Sequence, residues 1–346
     1  MQKNARLPYV DMAKGFAMLL VIIGHCAYSG KLLVGWLYSF HMPLFFALSG
    51  FTFRPEKYKS LREVVSAKFC QLILPYFFFC GLLWGLSLLI LDGMQLEYRH
   101  INELIGIVVS KRLSKYFFSL WFLTTLFLAE PALWCLCRLT KDLTHALTVL
   151  AVGAFAVGAP LLQRVHGTYW SADLAPIALS FLILGYLLRR CMAHWAEKTA
   201  SFVSLALAWG VNLLFFWLNY RQVGRSDLYY CKLGNPVYFF LSACGGTVGA
   251  IMLCQRIARC AALQYIGKHS LIFYAFESLA ISLSERALRS MAGAAALEQA
   301  PFPAMIMVLI ISCAILALTS QAFAIWKRRS SLQPQPVYAG QISPTI

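Results

Sequence analysis

Residues 11–25 read Asp-Met-Ala-Lys-Gly-Phe-Ala-Met-Leu-Leu-Val-Ile-Ile-Gly-His. From Gly15 to Gly24 no side chain is polar, and this run leads directly into a second one. A helix needs roughly 20 apolar residues to cross the hydrocarbon core, and runs of that kind recur along the whole chain. Ten are expected: Met12–Tyr28, Val34–Phe53, Leu72–Leu91, Phe117–Leu136, Thr144–Leu162, Leu174–Leu188, Ala200–Asn219, Pro236–Cys254, Leu263–Ser284 and Pro303–Trp326. Of the 346 residues, 60% are hydrophobic and 13% charged, whereas a soluble domain is about half apolar and a quarter charged. So few charges cannot cover the surface of a soluble protein of this size. In lipid the backbone must satisfy its own hydrogen bonds, and for long apolar runs that means helices. The expected fold class is all-α, a polytopic integral membrane bundle of about ten transmembrane helices forming one domain over residues 1–329. Residues 330–346, rich in Pro, Gln and Ser, are expected to be a disordered tail.

The net charge of +16 would suggest nucleic acid if the basic residues formed one stripe. They are instead spread between the apolar runs, as the positive-inside rule produces. The expected partner is therefore the lipid bilayer and not nucleic acid. With the N-terminus inside, 18 Lys and Arg face the cytoplasm and 11 lie in the opposite loops, with Lys14 inside the first run. Both termini are thus expected to be cytoplasmic. Much of the outer count comes from Arg99, Lys111, Arg112 and Lys115. No cleavable signal peptide is expected, because the first run continues into the second without a small-residue cleavage site. The eleven cysteines include no C-x-x-C pair, and Cys80, Cys244, Cys254 and Cys313 lie in apolar runs. There a thiol behaves as a small hydrophobe, and neither a metal site nor a disulfide is expected.

Eleven residues of helix return Lys14 and His25 to nearly the same face, about 16 Å apart along the axis. Asp11 lies one turn before Lys14, close enough to pair with it. Ionisable groups at such depth cost several kcal/mol unless they serve a cavity or a partner. Lys14 could instead snorkel to the interface, and His25 could make a helix-packing hydrogen bond. In the second run, Pro43 is expected to break the backbone ladder within the membrane and open its carbonyls to a cavity, with His41 beside the break. Ser49-Gly50 suits either a polar lining or close helix packing. Glu130 and Glu277 are two further carboxylates expected inside the membrane. Glu277, in the outward half of its span as His25 is of the first, could orient or charge the imidazole by the logic of a catalytic triad. It could equally be a protonated acid bonded to a neighbouring helix.

Several segments together resemble the membrane-bound acyltransferase family 3. They are Asp11-x-x-Lys14-Gly15, Gly24-His25, Tyr38-Ser39-Phe40-His41-Met42-Pro43-Leu44-Phe45-Phe46 and Ser49-Gly50-Phe51. Weaker matches are Leu74-Pro75-Tyr76, Leu120-Trp121-Phe122-Leu123, and Ile266-Gly267-Lys268-x-Ser270-Leu271 with Tyr274. The wording is closest to the fucose 4-O-acetylase-like exopolysaccharide and O-antigen O-acetyltransferases, and the resemblance covers nearly everything but the tail. It implies a multi-pass enzyme of the bacterial cytoplasmic (inner) membrane with no bound cofactor. Such an enzyme transfers an acyl group, usually acetyl from acetyl-CoA as donor substrate, to a carbohydrate hydroxyl of an exopolysaccharide, O-antigen or lipid-linked sugar.

The family's basic-x10-His motif falls on Lys14 and His25, making His25 the expected catalytic residue, with Glu277 as the candidate partner. Substrate or donor contacts are expected at Asp11, Lys14, His41, Ser49, Lys68, Trp121, Glu130 and Tyr274. The family's basic pair before the third span falls on Lys68 and Gln71, of which only the first is basic. The ninth-span motif commonly ends in His, where this chain has Glu277. The chemistry agrees: acyl transfer to an alcohol needs a base or a nucleophile, and histidine can be either near neutral pH. The basic run Arg54, Lys57, Lys59, Arg62 and Lys68 sits on the side from which a polyanionic donor arrives. The rival reading is a transporter or flippase for a glycolipid or small solute, which buried charges and a broken span would also suit. No inverted repeat supports it.

Overall fold

The computed structural model describes residues 7–91, 104–110, 120–165, 167–194, 201–257 and 259–331. Of the expected tail, Ser330 and Ser331 continue the last helix, where disorder was expected. Residues 332–346, the basic positions Lys3, Arg6, Arg99, Lys111, Arg112, Lys115 and Lys198, and Phe117 at the start of the fourth run lie outside the described residues. The helices are α1 (Pro8–His25), α2 (Lys31–Tyr38), α3 (His41–Thr52), α4 (Leu61–Lys68), α5 (Leu74–Leu91), α6 (Trp121–Leu139) and α7 (Thr144–Arg164). They continue as α8 (Ala175–His194), α9 (Phe202–Val223), α10 (Pro236–Arg256), α11 (Ala261–Lys268), α12 (Ser270–Ala292), α13 (Ala294–Gln299) and α14 (Pro301–Ser331). Among the described residues the one β-contact is an isolated bridge between Asp227 and Lys232. The protein is a polytopic helical bundle.

Among the described residues, eight helical stretches are long and apolar enough to cross a membrane: Lys31–Thr52, Leu61–Leu86, Trp121–Leu139, Thr144–Arg164, Tyr169–Cys191, Phe202–Val223, Pro236–Arg256 and Pro301–Arg328. The other two expected spans fall on α1 and α12, which carry the ionisable residues. Most of α1 is buried, from Val10 to Gly24. A helix enclosed by protein need not match the polarity of lipid, so α1 can hold Asp11, Lys14 and His25.

Two expected spans are broken in ways the sequence did not reveal. The second divides at Ser39–Phe40, one turn before Pro43, which itself sits in the first turn of α3. The proline ring would collide with the carbonyl four residues earlier, that of Ser39, so the helix stops there and restarts. The hydroxyl of Ser39 donates to the Trp36 carbonyl (2.7 Å), and the His41 ring bonds the Leu37 carbonyl (2.8 Å). A buried network secures the break: Trp36 Nε1 donates to Asn212 Oδ1 (2.7 Å), while Asn212 Nδ2 donates to the Ser242 carbonyl (2.9 Å). The ninth expected span divides at His269 into α11 and α12. Ile266-Gly267-Lys268 therefore belongs to a short separate helix.

That short helix explains one glycine pair. A Cβ on Gly267 would strike the Asp11 carbonyl, and one on Gly15 the Leu263 carbonyl. Backbone thus meets backbone where α1 crosses α11. Gly50 and Gly185 do the same for α3 and α8, against the Leu182 and Ala47 carbonyls. Small residues that let helices approach this closely are the usual interfaces in lipid. Of the two readings open for Ser49-Gly50, close packing holds for Gly50. After Lys68 the helix widens into one turn of π-helix, Phe69–Ile73, before α5, a distortion frequent at functional sites.

Candidate active site

His25 closes the C-terminal end of α1, and its Nδ1 lies 2.9 and 3.0 Å from the two carboxylate oxygens of Glu277 on α12. Glu277 is wholly buried and the imidazole is 38% exposed. Ser278 donates its hydroxyl to Glu277 Oε1 (3.0 Å). A carboxylate only accepts, so Nδ1 carries a proton and the lone pair of the neutral ring is on Nε2. The two helices are also tied at their ends. The Ala27 amide donates to Glu285 Oε1 (2.8 Å) and Arg289 Nε to the Tyr28 hydroxyl (3.2 Å).

His25 lines a cavity of about 350 Å³ with Tyr38, His41, Trp121, Tyr274 and a loop from α9 to α10. His41 is buried; because its Nδ1 donates to a carbonyl, its lone pair also resides on Nε2. Three of the expected contact residues, His41, Trp121 and Tyr274, thus meet at His25. The loop contributes Arg225, Asp227, Leu228, Tyr229 and Tyr230, which the sequence reading counted only as outer-loop charge or passed over. Arg225 pairs with Asp227 (3.1 Å) and lies 4.7 Å over the Tyr38 ring. Burial pushes the Asp227 carboxyl above the usual range, while Arg225 pulls it back. Asn219 anchors the loop, donating to the Leu233 carbonyl (2.8 Å) and accepting from the Asn235 amide (2.8 Å). A hint existed in Arg225-Ser-Asp-Leu-Tyr-Tyr230, charged and aromatic in a short connection, but periodicity cannot show what a loop covers.

The remaining candidates gather toward the other end of α1. Lys68 Nζ lies 2.9 Å from Glu130 Oε2, both side chains nearly buried, and Lys14 is the second positive charge acting on Glu130. Lys68 also donates to Gln71 Oε1 (3.2 Å), so the two positions of the family's basic pair touch. Asp11 is buried at the α1–α11 crossing. Ser49 stands two turns beyond His41 and does not line the His25 cavity.

The site thus joins a nitrogen base on a buried carboxylate to an aromatic cavity, with a lysine–glutamate cluster from α4 and α6 beside Lys14, toward the other end of α1. Residues 7–321 match the acyltransferase domain of the acyltransferase 3 family. The chain belongs to this family. The family is the one the resemblance implied. Nodulation protein NolL of Mesorhizobium japonicum is 38% identical over 97 residues, covering 25% of this chain and 26% of that relative. The chain thus matches about a quarter of the relative's length. No solved structure matches this acyltransferase 3 chain.

Proposed function

We propose that the protein is an O-acyltransferase that moves an acyl group, acetyl in the first instance, from acyl-CoA to a carbohydrate hydroxyl in the cell envelope of a bacterium. The observation that carries this reading is the His25–Glu277 contact at the floor of an aromatic cavity. His25 Nε2 takes the proton of the acceptor hydroxyl, whose oxygen attacks the thioester carbonyl. The C–S bond breaks, and the imidazolium returns the proton to the departing thiolate. Glu277 holds the tautomer and stabilises the transient positive ring, an electrostatic role buried carboxylates perform in triads. Tyr38, Trp121, Tyr229 and Tyr230 offer ring faces against which a sugar can pack, and the Arg225–Asp227 pair offers hydrogen-bonding partners for its hydroxyls. Lys14, about 16 Å from His25 by helical rise along α1, and Lys68, paired with Glu130, suit the diphosphate of the donor. The acyl end of the donor would then reach inward along α1.

Membranes containing the protein should transfer label from acetyl-CoA to envelope glycan, and His25→Ala should stop it at equal expression. Mass spectrometry of surface polysaccharide from cells with and without the protein identifies the acceptor. An acylation profile unchanged in His25→Ala overturns the assignment of the base.

A further inference from the structure

A second cavity, of about 500 Å³, opens between the α3–α4 connection and the turn that joins α6 to α7, lined by Pro55, Glu56, Cys137, Arg138, Lys141 and Asp142. We propose that it holds the nucleotide end of the acyl donor, an adenosine bearing a 3′-phosphate; this rests on the acyl-CoA reading above. Arg138 is preset for an anion or a ring: its Nη2 donates to the Tyr58 carbonyl (2.9 Å), and its guanidinium lies 5.2 Å over the Trp134 ring. A guanidinium offers planar, forked donors that match phosphate and stack on heterocycles. The Asp142 carboxylate is already engaged by the Tyr186 hydroxyl (2.9 and 3.0 Å) and faces Arg190 (3.7 Å), so its charge is largely answered from the far side. Glu56 leaves one acceptor for a ribose hydroxyl or an exocyclic amine.

The backbone supports the same reading. Lys141 and Asp142 are consecutive non-glycine residues in the left-handed region, φ 49° and 63°, held by the Asp142 amide on the Cys137 carbonyl (3.0 Å). Such conformations cost free energy and cluster at ligand clamps. Here they project Lys141, which is exposed, at the cavity rim.

The position also fits. Arg138 follows Glu130 by eight residues, about 12 Å along α6, and Glu130 pairs with Lys68. Phe53 bridges the two places: Lys68 lies 5.3 Å over its ring, and Tyr58 stacks on that ring at 6.2 Å. The nucleotide cavity, the lysines for the diphosphate and His25 for the thioester therefore succeed one another in the order of the donor's own parts.

The test compares acetyl-CoA with S-acetylpantetheine, which has the reactive arm but no nucleotide. The wild type should have a KM for acetyl-CoA at least about tenfold below that for S-acetylpantetheine. Lys141→Glu and Arg138→Gln should each shrink that ratio by about fivefold or more, as expected from losing one charge-assisted phosphate contact. A wild type that uses both thioesters equally, or variants that keep the wild-type ratio, overturn the inference. Binding of adenosine 3′,5′-bisphosphate to the purified protein, weakened by Lys141→Glu, tests the cavity without turnover; no binding also overturns it. Transfer from neither thioester, with the bisphosphate bound, strikes the proposed reaction and leaves the nucleotide site standing.

Discussion

The decisive pair is His25 with Glu277, and its geometry assigns separate tasks to the two ring nitrogens. Replacing Glu277 by Gln keeps the size of the side chain but removes the charge that fixes Nδ1–H and steadies the imidazolium. We expect kcat to fall about a hundredfold or more, as general-base catalysis and triad logic imply, with expression and detergent-extracted folding near wild type. Full activity in Glu277→Gln would reduce the contact to helix packing. His25 and Lys14 were legible in the sequence because eleven residues of helix put them on one face. Glu277 was legible as a candidate because it is a carboxylate inside an expected span, in the outward half as His25 is of the first. That the carboxylate reaches Nδ1 with both oxygens follows from a tertiary crossing that periodicity does not encode. Arg225 and Asp227 went unread for a related reason: their loop is placed by Asn219 and Asn235, and no phase argument reaches across it.

At the scale of helices, glycine pairs and one broken span set the shape of the site. Gly267→Leu should push α11 off α1 and lower thermal stability in detergent by about 1–3 kcal/mol, typical of overpacking; an unchanged melting temperature would show the crossing to be soft. The Asn212 network is the second element-level test. Asn212→Ala leaves the Trp36 indole N–H without its acceptor, which costs about 1–3 kcal/mol for a buried polar atom. It should also loosen the Ser39–Phe40 break that aims His41 at the cavity. Thermal unfolding followed alongside KM for the acceptor would separate the two effects. The sequence named Pro43 as the breaker but put the break at the proline itself. The ring acts on the carbonyl four residues earlier, and the interruption accordingly appears at Ser39. The ninth run read as one helix because its apolar residues continue through His269, where the backbone does not.

Across the whole molecule, the proposed chemistry runs from a basic end to an aromatic one. The cavity that holds Lys141 and the loop that holds Tyr230 belong to opposite ends of the bundle in the orientation expected from the basic residues. With Cys70 and Cys191, which are exposed, replaced by serine, Tyr230→Cys should react with an impermeant maleimide on intact cells. Lys141→Cys should react only after permeabilisation. Labelling of both from one side would refute the orientation and the route proposed for the acyl group. The all-helical class was readable from composition, since sparse charge and long apolar runs admit few other folds. The division of labour among helices was not. The two that hold His25 and Glu277, α1 and α12, are the expected spans that fall below the hydropathy of the others, although Glu277 and most of α1 are buried.

The contact between His25 and Glu277 spans 252 positions of sequence. A ribosome makes α1 well before it makes α12, which carries the carboxylate partner. The proposed reactive centre is therefore absent from every shortened product that stops before α12, and fragments made by premature termination or proteolysis upstream of that helix should show no acyl transfer. The order of synthesis itself keeps the base uncoupled until the cavity around it is built.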